Sequence, residues 1–242
     1  MIRYMGGKSK GGDKIADIIN SLISEEYPNY WEPFVGGGSI IRRIWNGKIK
    51  YATDNNKYLI NLFKNIQNGW LPEEKITEEK YKQIMKEKEL KPITAFCGFC
   101  LSWGGKWFGG IARDKTNKRN FQEEQTKSIL KYRENIKDVI FNTKDFLNSD
   151  ISKVKNYVIY CDPPYENTTK YKDKFNHESF WNKCKELSKN NIVLVSEYSE
   201  PKNCNFETLL TFKKTKSLRG NIEGKAETST EKLFLIKEVT ND

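Results

Sequence analysis

The sequence predicts an α/β protein, an open sheet carrying a small helical insert. Three observations predict it. Trp31-Glu32-Pro33-Phe34-Val35-Gly36-Gly37-Gly38-Ser39 runs into Ile40, Ile41, Ile44 and Trp45, apolar at helical spacing, which reads as strand, glycine-rich turn and helix. The run Tyr157-Val158-Ile159-Tyr160 reads as a buried strand that empties into Asp162-Pro163-Pro164-Tyr165. Between the two, helical patterns replace strand patterns.

The elements follow in order. A first helix covers residues 12–23, with Ile15, Ile18, Ile19, Leu22 and Ile23 on one core-facing stripe. After the glycine loop, with Ser39 as a candidate N-cap, Tyr51-Ala52-Thr53-Asp54 reads as a short strand ending in an acid. A helix carrying Leu59, Ile60, Leu62, Phe63 and Ile66 follows, with Gly69 as its C-terminal stop and Pro72 forbidding easy continuation. Helical patterns around Glu78–Glu89 and Gln122–Ile136 belong to the insert. Val139-Ile140-Phe141 marks the return to the sheet, Ile192–Ser196 and Lys232–Ile236 are further strands, and Lys213–Thr230 reads as a long polar loop. The chain thus divides into 1–69 and 137–242, which build the sheet, and an inserted subdomain at 70–136.

Chemistry concentrates at strand ends. Asp-Pro-Pro-Tyr puts a carboxylate, a rigid turn and an aromatic ring where open α/β sheets bind ligands. Both prolines hold φ near −65°, so the Asp162 carboxylate and the Pro163 carbonyl are fixed as acceptors for an exocyclic amine, with Tyr165 free to stack on its ring. Taken alone, the same four residues also suit an ordinary turn. Gly36, Gly37 and Gly38 permit φ > 0 and close approach of a ligand, and the absence of G-x-x-x-x-G-K-[ST] argues against a phosphate-cradling loop. Asp54 lies near the offset of about 20 residues at which such folds place a ribose-binding acid, and it equally suits an N-cap.

The middle of the insert, Leu101 to Arg113, combines glycines with Trp103, Trp107 and Phe108. Lys106, Arg113, Lys115, Lys118 and Arg119 supply phosphate or base-edge donors. Trp103, Lys106, Trp107, Arg113, Lys118 and Arg119 are therefore candidate nucleic-acid contacts, for a base taken out of its stack. The alternative is that the aromatics plug the junction with the sheet while the charges solvate a loop.

A net charge of +10 over 242 residues favours a polyanionic partner. No apolar run approaches the ~20 residues that cross a bilayer, and the N-terminus has no signal-peptide core, so a cytoplasmic protein is expected. The five cysteines are an odd count, which argues for reduced thiols. Cys97 and Cys100 have knuckle spacing without a second pair, and His177 is the single histidine, so no metal site is expected and packing is the better reading. Cys161 has no activating base in view, and no nucleophilic triad can be composed.

In this order and spacing the motifs resemble the DNA adenine-N6 methyltransferases of the Dam type, the D12 class in its alpha arrangement. The resemblance covers most of the chain and is weakest over 69–140, where such families diverge in target choice. It implies a Rossmann-like S-adenosylmethionine-dependent methyltransferase sheet with the insert as target-recognition subdomain. Tyr4-Met5-Gly6-Gly7-Lys8 is similar to the family's N-terminal motif, which places Tyr4 and Lys8 at the cofactor and target pocket. Phe34, Gly36 and Gly38 match the cofactor loop, Asp54 the ribose-binding acid, Asp145 and Phe146 the pair flanking the cofactor adenine, and Phe175–Phe180 the segment after the catalytic motif. Asp162, Pro163, Pro164 and Tyr165 are the implied catalytic residues, with Asp162 also bordering the cofactor. The implied cofactor is S-adenosyl-L-methionine and the implied partner is double-stranded DNA, with no membrane and no obligate protein partner. The implied setting is the cytosol of a bacterium or phage-infected host, with restriction-modification as one use; the target sequence stays open. Two rivals remain: methylation of another planar amine in RNA or of a glutamine amide in a protein, and a catalytically silent DNA-binding relative; cytosine N4 methylation shares the chemistry. Amide-directed enzymes of this superfamily usually carry Asn in place of Asp162, and the cytosine motif more often begins with Ser.

Overall fold

The structure is a computed structural model, and it describes residues 2–8, 11–72, 75–114, 116, 118–165, 175–201, 204–215 and 228–237. Seven strands form one sheet in the order β3-β2-β1-β4-β5-β7-β6. These are β1 (Asn29–Glu32), β2 (Ile49–Asp54), β3 (Val139–Thr143), β4 (Tyr157–Cys161), β5 (Ile192–Glu197), β6 (Asn205–Thr215) and β7 (Thr228–Lys237). β1 to β5 run parallel, whereas β7 lies antiparallel to both β5 and β6. This is the Rossmann-like sheet that the motifs predict, with the strand order reversing direction between β1 and β4. At such a switch point the loops after the two strands diverge and leave a crevice at their carboxyl ends.

The central strands read as continuous apolar runs because both of their faces are covered. Alternation sorts their side chains. Tyr30, Val158, Tyr160 and Leu194 join one core cluster, and Trp31, Ile159, Cys161, Val193 and Val195 the other. The first cluster is closed by α1 (Gly12–Leu22) and α2 (Lys57–Gln67). It also takes in α3 (Glu78–Glu87), α4 (Pro92–Ala95) and α5 (Phe121–Ile136) from the segment between α2 and β3. The second is closed by α6 (His177–Ser188), through Phe180, Trp181, Cys184 and Leu187. Tyr132 of α5 stacks on Phe63 of α2 at 5.7 Å, so α5 is fastened to the sheet side of the molecule.

Four features depart from the sequence reading. No helix follows the glycine loop: Ile41–Arg43 make a single 3-10 turn, and Trp45 is 77% exposed. Asn20 is the reason, because its side-chain oxygen accepts the Trp45 and Asn46 N–H groups that a helix would have used internally. Ser39 is not an N-cap; its hydroxyl donates to the Lys8 carbonyl. Gly69, at φ +93°, stands one residue beyond Asn68, which occupies the C-cap itself. Finally, β6 is a strand that the sequence did not announce, and it and β7 absorb both ends of the predicted loop at Lys213–Thr230. Lys213 and Lys214 obscured it, and basic residues are common on an edge strand such as this one. Residues 216–227, including Arg219, Gly220, Asn221, Gly224 and Lys225, lie outside the described residues.

Cys97 and Cys100 sit in a π-helical turn, Phe96–Cys100, inside the core, and burial pushes both thiols up to about 12. Among the described residues no helix is long and apolar enough to cross a membrane.

Candidate active site

The carboxyl ends of β1, β2, β3 and β4 surround a cavity of about 660 Å³. All four residues of Asp-Pro-Pro-Tyr line it, together with Tyr4, Lys8, Phe34, Gly36, Asp54, Asp145 and Phe146. Gly38 does not.

The wall toward β2 is built by the glycine loop. Val35 N–H donates to Thr53 O at 3.0 Å and Gly36 N–H donates to Asp54 Oδ2 at 2.9 Å, which ties the loop to the end of β2. Asp54 Oδ1 accepts from Asn56 N–H at 2.9 Å. The N-cap of α2 is Asn56, which accepts from Tyr58 and Leu59, so Asp54 serves the loop and not the helix. Burial raises the Asp54 carboxyl pKa, opposed by those two N–H donors. Gly38 has a different task from the one its motif implies. Its φ is +66°, and a Cβ there would lie 1.7 Å from the Tyr132 hydroxyl, so this glycine admits α5 and not a ligand.

Aromatic rings form the side below Phe34. Phe146 is buried 5.2 Å from Phe34 and 5.8 Å from Trp31, and Phe180 stands behind both. Asp145 folds back on its own turn, accepting from Leu147 N–H at 2.9 Å and Asn148 Nδ2 at 2.6 Å. Lys183 of α6 clamps that turn by donating to the carbonyls of Phe146, Leu147 and Ser149.

The far side holds a polar cluster around Lys8. Its Nζ lies 2.6 Å from each Asp162 oxygen and also donates to the Tyr165 hydroxyl, which donates in turn to Asp162 Oδ1 at 2.7 Å. Glu231 of β7 completes the cluster, with Oε1 3.2 Å from Lys8 Nζ. Burial alone would lower the Lys8 pKa, but Asp162 and Glu231 outweigh it and raise the pKa above the ordinary lysine value. Burial raises the Asp162 pKa, and Glu231 acts in the same sense against the pull of Lys8. Glu32, at the end of β1, is pushed well above the carboxylate range by burial; the Tyr30 hydroxyl donates to it at 3.0 Å. Tyr165 is flanked edge-on by Tyr198 at 4.6 Å.

Glu32 opens the glycine-loop motif, whereas Glu231 and Tyr198 lie outside every motif of the sequence. Glu231 did carry a signal, an acid set at the start of an apolar strand. What it would face depends on β7 lying beside β5, which no local pattern encodes.

The candidate contacts between α2 and β3 separate into three kinds. Trp103 is 57% exposed, on a turn where Gly105 lies against the Tyr4 backbone and accepts from Met5 N–H at 3.2 Å. Lys106 and Lys118 are exposed. Trp107 instead packs against Phe99 at 4.7 Å and Tyr58 at 4.8 Å, which is the plugging arrangement. Arg113 pairs with Glu78 at 2.6 Å and Arg119 with Glu124 at 2.6 Å, both at the surface. Lys115 lies outside the described residues. Trp107→Ala is therefore expected to cost about 2 kcal/mol of stability, less than a fully buried tryptophan. Trp103→Ala should stay within about 0.5 kcal/mol. Urea titration of the two variants checks the contrast.

Among the described residues no group of three or more His, Cys, Asp or Glu is placed to hold a metal ion.

A family described as D12 class N6 adenine-specific DNA methyltransferase matches residues 4–100 and 91–212. The type II methyltransferase M.FokI of Planomicrobium okeanokoites is 24% identical over 211 residues, which cover 77% of this chain and 32% of that protein. The chain thus spans about a third of the length of that curated relative. Among solved structures, the rRNA methyltransferase AviRa of Streptomyces viridochromogenes aligns at 10% identity and TM-score 0.43, covering 93% of this chain and 84% of that one. The putative methyltransferase SMU.472, solved in complex with SAH, aligns at 10% identity and TM-score 0.38, covering 95% and 53%.

Proposed function

The chain belongs to the D12 class of N6 adenine-specific DNA methyltransferases, and on that premise we propose that it methylates the N6 amine of an adenine extruded from double-stranded DNA, with S-adenosylmethionine as donor. One observation carries the reading: Asp162 and Pro163, at the end of β4, share a cavity with the glycine loop and Asp54 at the ends of β1 and β2.

The residues present suit that cofactor. Asp54 spends one lone pair of each oxygen on backbone N–H groups and keeps the others for a diol. Phe34 and Phe146 offer an apolar, aromatic wall for a flat base. Bound there, S-adenosylmethionine would supply an already activated methyl group on a sulfonium. The protein's own part is then alignment and electrostatics. The adenine amine is conjugated with its ring and is a weak nucleophile. Asp162 and the Pro163 carbonyl accept its two hydrogens, draw its lone pair out of conjugation and stabilise the positive charge developing on nitrogen. Tyr165 supplies the ring on which the extruded base stacks. The segment at 70–136 is the proposed target-reading part, with Trp103, Lys106, Arg113, Lys118 and Arg119 its exposed candidates.

Asp54→Asn is expected to weaken S-adenosylmethionine binding about 10-fold, as for loss of a hydrogen bond to a charged group; calorimetric titration measures it. The reaction itself is tested with labelled S-adenosylmethionine, unmethylated genomic DNA and RNA in parallel, with modified bases read by mass spectrometry. N6-methyladenine in DNA alone supports the proposal. Label in RNA or protein alone, or in nothing, overturns it.

A further inference from the structure

Resting on the methyl-transfer reading above, we propose that Glu231 is a positioning residue: it is the second carboxylate of Lys8, holding that ammonium when the target amine takes over one oxygen of Asp162.

The geometry creates the need for it. An ammonium has three hydrogens to donate, and Lys8 directs them at Asp162 and Tyr165, with Glu231 Oε1 also 3.2 Å from its nitrogen. Both Asp162 oxygens already accept from Lys8, and Oδ1 accepts from Tyr165 as well. An incoming amine therefore meets a carboxylate whose charge is largely spent on the lysine. To accept an N–H strongly, Asp162 must be partly released.

Lys8 cannot simply leave. Its side chain is 3% exposed, and a buried cation without a counter-charge is strongly disfavoured. The remaining anchor must be a carboxylate that substrate does not reach. Glu231 meets that description: it is 1% exposed against 20% for Asp162, and it does not border the cavity. Its backbone is fixed by pairing with Phe212 of β6, next to the Lys232–Glu197 register of β7 on β5. Among the described residues, Tyr160 within β4 and Glu32 at the end of β1 also act on this cluster. Glu32 is engaged by Tyr30 and held toward its neutral form by burial, so it does not replace Glu231.

The test compares the full chain with Glu231→Gln and Glu231→Asp. For Glu231→Gln, kcat for N6-methyladenine formation should fall about 10-fold or more, while KM for DNA and the affinity for S-adenosylmethionine stay within about 2-fold. Glu231→Asp should recover much of the loss. A purely structural residue would lower thermal stability and leave kcat per folded molecule unchanged, and that result overturns the proposal. A second readout does not need turnover. With lysine labelled at Cε, the Lys8 resonance should titrate at lower pH in Glu231→Gln than in the parent protein. Identical titrations would remove the ion pair on which the proposal stands. If the parent protein methylates nothing while the Lys8 titration shifts as expected, the reaction assignment fails and the pairing survives.

Discussion

Asp162→Ala is expected to lower methyl transfer by at least about 10²–10³-fold, the usual scale for removing one preorganised group that stabilises developing charge. On the proposed mechanism the substitution deletes the acceptor at the end of β4 and leaves Pro163 to hold the amine by one hydrogen. Lys8 keeps Glu231, so the buried cation retains a partner and the fold should survive. Linkage points the same way. Burial raises the Asp162 pKa, so the folded state binds this proton more readily than the unfolded state does. Over the window between the ordinary carboxylate value and the raised one, rising pH therefore costs stability through this group, and alanine removes that cost. The activity carries the opposite sign. On the proposed mechanism the ionised carboxylate is the working form, so the rate should fall on acidification with a midpoint above the ordinary aspartate value of 3.8. Single-turnover transfer to DNA across pH, with a circular dichroism check of the fold, measures both. Near-parental turnover by the alanine variant would end the assignment.

Gly38→Ala should destabilise the protein by about 2–5 kcal/mol. A left-handed backbone costs an L-residue about 1–2 kcal/mol, and forcing a methyl group into a filled site costs about 1–3 more. Here the methyl would meet the Tyr132 hydroxyl at 1.7 Å and its ring carbon Cζ at 2.8 Å, while that hydroxyl donates to the Gly38 carbonyl at 3.2 Å. Tyr132 cannot retreat, because it is fully buried against Phe63. Adding Tyr132→Phe should return part of the loss, with a coupling of about 1 kcal/mol between the two sites. Urea denaturation of the single and double variants measures this. Strict additivity would show that the strain lies in the backbone alone.

The two predictions mark where the sequence was legible and where it was not. The path from Tyr157 through Tyr165 was readable because a strand buried on both faces is written as an unbroken apolar run and a Pro-Pro turn has few conformations. The glycine loop was readable as a turn, but the uses of its glycines were not. Gly36 faces the cavity and Gly38 faces α5, a helix nearly a hundred residues away in the chain. The helix expected after Ser39 failed for a similar reason. Apolar spacing at Ile40, Ile41 and Ile44 reported burial correctly, but Asn20 of α1 captured the N–H groups that would have continued the turn. In the insert, Trp103 and Trp107 look alike in sequence, and only packing against Phe99 and Tyr58 tells them apart.

Local pattern alone sets the parts: an α/β chain, the Asp-Pro-Pro-Tyr turn at the end of one strand, the glycine loop and acid of its neighbours, and a basic segment between α2 and β3. These are local, set by side-chain period, by the dihedral limits of proline and glycine and by charge. Which distant groups meet is settled by the assembled fold. The strand order sets β1 beside β4 and opens the crevice, and the antiparallel return of β7 brings Glu231 to Lys8. Strand pairing across long separations is driven by burial of whole faces, and burial is a property of the assembled sheet.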